Sequence, residues 1–248
     1  MAVPVAPQPA SIDAPPSVAT SALPRLIVAS VALLGGLLLI VLAVPRLDAA
    51  LELARAKPVH DHLLNGDTNV DDAALQAAIE ALHQGFKRSS EPYLGTMLAY
   101  LYKAQADRTA DPALANQRHA QAAEVARATI RVSPSNLIAW VLLAVSLDAR
   151  NPRDPAVTAA LTRAIHIAPY DPRLRDLRIS LAMRHWSQLD PATRALGGFQ
   201  IKRAAQLDPR ALAVQAREYL GLPAVHESLW DDPALRTRFN SVYQSLPR

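Results

Sequence analysis

Cysteine is absent from the 248 residues, which excludes disulfides, thiolate nucleophiles and cysteine-ligated zinc. Glycine is scarce, at 8 residues, and Gly35-Gly36 sits inside an apolar run. No glycine cluster follows a strand pattern, so phosphate-cradling loops of the GxGxxG or GxxxxGK kind are missing. Aromatic residues make up only 5% of the chain. Acids and bases alternate without forming a basic face, and nucleic-acid binding is not expected. Lysine is confined to Lys57, Lys87, Lys103 and Lys202 among 26 basic residues. That arginine-for-lysine, alanine-rich bias fits a GC-rich bacterial genome. No alternating strand pattern of useful length occurs either. What remains is alanine, leucine and arginine in abundance, a composition that favours helices.

The charge also has a location. Residues 1–45 hold one acid, Asp13, and one base, Arg25, so the formal net charge of +4 arises beyond them. Residues 1–24 contain six prolines and almost no large apolar side chains, and read as a disordered tail. From Leu26 to Val44 there are 19 residues without a charge. As a helix they span about 28 Å, close to the hydrocarbon thickness of a bilayer. No small-x-small cleavage site follows, so an uncleaved transmembrane helix over 25–46 is expected rather than a signal peptide. Ala32 and Gly36 form a small-xxx-small pair of the kind that helps membrane helices associate. Arg46, Arg55 and Lys57 on the carboxyl side favour a cytoplasmic domain by the positive-inside rule. Single-span bacterial proteins with an amino-terminal anchor more often export the large domain. We therefore expect a single-pass protein of the bacterial inner membrane with its soluble domain in the periplasm.

After residue 110 the chain spells Asp-Pro six times, at Asp111, Asp154, Asp171, Asp190, Asp208 and Asp232. Aspartate caps a helix amino terminus, and proline fits the next position, where its missing N–H is not needed. Each pair therefore predicts a helix start. Apolar residues follow at helical spacing: Val157, Leu161 and Ile165; Leu174, Leu177, Leu181 and Trp186; Leu196, Phe199 and Ile201; Leu212, Val214 and Leu220; Leu235, Phe239 and Val242. Asp71 or Asp72 and Pro92 open two earlier helices. The membrane helix is expected to run on to Pro58 within a membrane-proximal helix and linker, 47–70. "TIRVSP", "AIHIAP" and "AAQLDP" end at Pro134, Pro169 and Pro209, steps of 35 and 40 residues.

A helix pair repeating at about 34 residues is the tetratricopeptide pattern, and Tyr93 to Pro209 resembles degenerate repeats of that family. The best unit is "NLIAWVLLAVSLDARNPRDPAVTAALTRAIHIAP". In it Trp140 matches the first-helix aromatic, Leu143-Ala144 the Leu-Gly pair, Ala164 the second-helix small residue and Pro169 the closing proline. The preceding unit keeps Leu98, Ala99, Tyr102, Ala122 and Pro134 around an insertion of about eleven residues at "QADRTADPALA". The following unit keeps Gly197, Ala204 and Pro209 but has Arg178-Ile179 for the Leu-Gly pair. The resemblance implies an all-α fold: an α-solenoid of antiparallel helix pairs over 71–209, capped by 210–248.

It also implies a concave wall built from first helices. The residues expected on that wall, as a partner-binding groove, are Tyr93, Tyr100, Lys103, Ile138, Val141, Val145, Asp148, Arg173, Asp176 and Arg184. Such a mix of aromatic, aliphatic and charged anchors suits a peptide from another protein. Val141 and Val145 replace the asparagines that clamp a terminal carboxylate in some family members, so that specificity is not expected. Trp230 is expected either to staple the helix after Asp232, against Leu235 or Phe239, or to meet a partner.

Reactive constellations are thin. His60, Asp61, His62 and Asp67 lie close in sequence, but a His-x-His pair diverges on a helix and further metal ligands are not evident. His185, Ser187 and Asp190 lie near one another without a strained nucleophile turn. We expect no metal, no cofactor, no small-molecule substrate and no catalysis. The expectation is a membrane-anchored, tetratricopeptide-like adaptor acting on other envelope proteins. An accessory subunit embedded in a membrane enzyme complex, of polysaccharide-export or cytochrome-maturation type, is the alternative, with 26–57 as docking element. A peptidoglycan-cleaving helical enzyme would need a cleft carboxylate from Glu80, Glu91, Glu124, Glu218 or Glu227, none of which lies in a recognisable motif.

Overall fold

The computed structural model of the chain describes residues 22–67 and 69–247, which are helical throughout with no strand among them. Residues 1–21 of the expected tail lie outside the described residues, and the chain is helical from Ala22. Eleven α-helices are described: α1 Ala22–Leu64, α2 Asp72–Ser89, α3 Pro92–Asp107, α4 Pro112–Val132, α5 Leu137–Arg150, α6 Pro155–Ile167, α7 Arg175–Arg184, α8 Pro191–Leu207, α9 Pro209–Glu218, α10 Leu222–Ser228 and α11 Pro233–Ser245. A short 3-10 helix, Trp186–Gln188, follows α7. The chain divides into two compact units, 1–44 and 45–248.

Within the first unit, α1 exposes its apolar side chains all round, from Leu26 to Val44. It is the one described helix long and apolar enough to cross a membrane. Pro45 and Pro58 both lie inside α1, and the helix passes the expected stop at Pro58. Proline removes one intrahelical hydrogen bond and crowds the preceding turn. Here packing outweighs that loss. Within the second unit Ala49 and Ala56 are buried, and Leu53, Val59 and Leu63 pack on the same core as α2 and α3. The helix ends at Leu64, and Gly66 two residues on turns the chain at φ 78°, which suits a residue without a Cβ. The stretch expected to be helix and linker, 47–70, is thus mostly helix and part of the core.

Five of the six Asp-Pro pairs open helices. Asp111, Asp154, Asp190, Asp208 and Asp232 each accept a backbone N–H from the first turn of α4, α6, α8, α9 and α11, with proline following. Asp71 caps α2 in the same way. Asp171 does not cap a helix. Its carboxylate takes the side chain and backbone N–H of Arg173, and α7 starts only at Arg175, after Leu174 at φ 51°. The reason is tertiary. Arg178 is fully buried, and its guanidinium donates to the carbonyls of Asp171 and Arg173 and to Gln200 Oε1. Gln200 in turn donates to the Pro169 carbonyl at 2.9 Å. The α6–α7 loop is wrapped around one buried cation.

Within the second unit the substantial contacts join helices near in chain order. α2 packs on α3, α3 on α4, α4 on α5 and α5 on α6, with α3 also touching α5. α7 rests on α5, α6 and α8, while α10 and α11 close on α7, α8 and α9. Alanines keep these helices close: Ala99, Ala122, Ala123, Ala126, Ala144, Ala160 and Ala164 are all buried. The inserted "QADRTADPALA" forms the end of α3, a turn and the start of the long α4. Trp140 fixes the entry to α5, its indole N–H donating to the Pro134 carbonyl at 2.9 Å.

Candidate functional site

The residues expected to line a groove do not form one accessible surface. Tyr93 is exposed. Tyr100 is half-buried, with its ring edge-on to His60 at 5.2 Å, and Lys103 pairs with Asp107. Ile138 and Val145 are half-buried on the core. Val141 is 0% exposed, packed with Leu137 and Ala164, and Asp148 is 5% exposed. Both were expected on the wall and both belong to the interior. α7 crosses α5 there: Asp148 Oδ1 meets His185 Nε2 at 2.7 Å, and Oδ2 accepts from Arg184. Arg184 also lies over the Tyr219 ring, 5.0 Å from its centroid. Arg173 is exposed on Asp171, and Asp176 is exposed beside Arg175.

The Asp148–His185 pair holds the imidazole firmly, yet His185 Nδ1 has no hydrogen-bond partner among the described residues. With no hydroxyl on either nitrogen, the arrangement ties α5 to α7 and does not form a nucleophile triad. The amino-terminal histidines pair separately, His60 with Asp61 at 3.4 Å and His62 with Asp67 at 3.2 Å. Among the described residues, no three potential metal ligands gather.

A different feature stands out between α8 and α10. A cleft of about 470 Å³ opens there, lined by Trp186, Phe199 and Trp230 together with Arg194, Lys202, Glu227 and Asp231. The Asp190 cap places α8, and Gly198 lets α10 come close, since a Cβ there would stand 3.2 Å from Ser228 Oγ. Trp186 is nearly buried, and its indole N–H donates to Glu227 Oε2 at 2.7 Å. Lys202 Nζ bonds both Asp231 oxygens at 2.9 Å, which depresses the Asp231 pKa below the usual carboxylate range. Arg194 lies 3.6 Å from Glu227. Each charge on the rim has a partner, and Phe199 and Trp230 between them are open. Trp230 is 72% exposed, so it is not the staple on Leu235 or Phe239 that its place before α11 suggested. Phe199 is 50% exposed and meets the exposed Tyr170 edge-on at 5.0 Å, although its spacing had put it in the core.

Sequence reasoning missed this cleft, though a signal was present. In a chain so poor in aromatics, Trp230 sits outside any helix, in the turn after α10. Comparison with protein-family models, with curated proteins and with solved structures gives no match for this chain.

Proposed function

We propose that this chain is a membrane-anchored adaptor: an α-solenoid of tetratricopeptide type behind a single span, with its docking site in the aromatic cleft of α8 and α10. The solenoid reading is supported by helices that pack on their chain neighbours and by helix ends at Val132, Ile167 and Leu207 that repeat the sequence spacing. The observation that carries the docking reading is Trp230, 72% exposed beside Phe199 in a cleft whose charges are already paired. Aromatic side chains with little freedom to lose are the commonest anchors of protein interfaces. The partner is a protein of the bacterial envelope, with the soluble domain on the periplasmic side of the inner membrane. The role is recruitment without catalysis. The middle of the expected groove is filled by the chain's own contacts, which moves the binding surface toward the carboxyl end.

A second reading has one observation behind it. Leu47 and Leu51 remain exposed on α1 within the second unit, as a helix built permanently into a membrane complex would present them. Photocrosslinking side chains at Trp230, Leu51 and the exposed Ala159 of α6 separate the two in cells. The adaptor reading expects a discrete adduct from position 230 and none from 159. Adducts from 51 alone would replace it with the embedded subunit. A periplasm-dependent reporter fused after residue 248 is expected to be active, and silence from it would refute the periplasmic placement.

A further inference from the structure

We propose that the depression between the ends of α2 and α4 seats the phosphate headgroups of anionic lipids, an inference that rests on residues 26–44 spanning a bilayer. The argument begins with reach. Arg88 at the end of α2 lies 3.7 Å from Asp48 of α1. Asp48 follows Val44, the last residue of the apolar run, by four residues, which is about 6 Å along a helix. The headgroup layer is about 5–8 Å deep on each side of the hydrocarbon. The contact to Asp48 and the four-residue tether to Val44 therefore bring the end of α2 within reach of that layer.

The depression itself encloses about 250 Å³. Lys87 of α2 faces Arg127 and Arg131 of α4 over an apolar floor of Phe86 and Val125. All three cations are exposed, and among the described residues none has a carboxylate within 4.0 Å. Glu124 is the one carboxylate on the rim. Helix dipoles account for Lys87 and Arg131, which stand in the last turns of their helices. They do not account for Arg127, a turn earlier, nor for three like charges gathered across a helix boundary, where they repel. Arginine forks and a lysine point charge are the groups that hold phosphate oxygens. A basic cluster next to a membrane span reads the negative charge of a leaflet. Free phosphate shares this chemistry, but reach to the bilayer selects the lipid source.

The chain's lack of cysteine permits a single fluorophore at Ser135→Cys, exposed in the α4–α5 turn. The full chain is reconstituted into vesicles of phosphatidylcholine, with or without phosphatidylglycerol, and nitroxide-lipid quenching is read. Quenching is expected to rise with phosphatidylglycerol. Replacing Lys87, Arg127 and Arg131 by glutamine should lower the docked fraction about fivefold per cation, and Glu124→Gln should raise it. Quenching indifferent to phosphatidylglycerol, or unchanged in the triple variant, overturns the proposal. Displacement by inorganic phosphate far beyond sodium chloride of equal ionic strength also overturns it, in favour of a soluble anion site. Alkaline carbonate tests the span independently: a chain that washes off the vesicles refutes the anchor itself.

Discussion

Replacing Arg178 by methionine removes the cation around which the α6–α7 loop is built and keeps most of its apolar stem. Three hydrogen bonds disappear, to the carbonyls of Asp171 and Arg173 and to Gln200 Oε1. Bonds to a charged donor contribute about 1.5–3 kcal/mol each, so the gross loss is about 5–9 kcal/mol. Against this, methionine spares the several kcal/mol needed to desolvate a guanidinium. Burial already lowers the Arg178 pKa from its ordinary value, evidence that the interior disfavours the charge. The difference is a net destabilisation of about 2–4 kcal/mol, in the range of other broken buried networks. In a unit of this size that is about 4–16 °C in Tm. Circular dichroism on heating measures the shift, and proteolysis within 168–174 reports the freed loop. Arg178→Lys should fall between, since one ammonium reaches fewer of the three acceptors. A methionine variant within about 0.5 kcal/mol of the parent would refute the argument, because such a change is typical of a surface site.

Gly221 abuts α7: a Cβ there would stand 2.5 Å from Met183 Cβ, so Gly221→Ala should destabilise by about 1–3 kcal/mol in a denaturant titration. Met183→Gly combined with it, which removes the clashing Cβ, should cost less than the sum of the two single losses, and additive losses would contradict the steric cause. His60 and His119 have pKa values lowered mainly by burial, so the unfolded chain binds protons first as pH falls. Stability should therefore be intact above the ordinary histidine pKa, about 6.5, and decline as pH drops toward the lower folded values. His119→Gln should flatten that decline as pH falls below about 6.5, and an unaltered slope would show that His119 does not contribute to it.

The helix starts are legible in the sequence because capping is local chemistry. A carboxylate, a proline and the next turn's N–H groups are neighbours in the chain, and Asp111, Asp154, Asp190, Asp208 and Asp232 need nothing else. Asp171-Pro172 carries the same two letters and fails, because Arg178 claims the loop carbonyls through a contact that no local pattern records. Pro58 fails as a stop for a similar reason: the turns beyond it pack on α2 and α3. Val141 and Asp148 show the limit of periodicity. Spacing tells which residues share a face of α5, but not that α6 and α7 would cover that face.

The same limit, turned round, gives the cleft its meaning. Periodicity places Phe199 in the core, and its position before α11 makes Trp230 a staple. Burying either ring would have added about 1.5–3 kcal/mol of apolar transfer. Single exposed apolar side chains are ordinary on protein surfaces. Here Phe199 and Trp230 open onto one cleft and Tyr170 lies against Phe199. On the docking reading proposed above, the complement of this surface lies outside the chain.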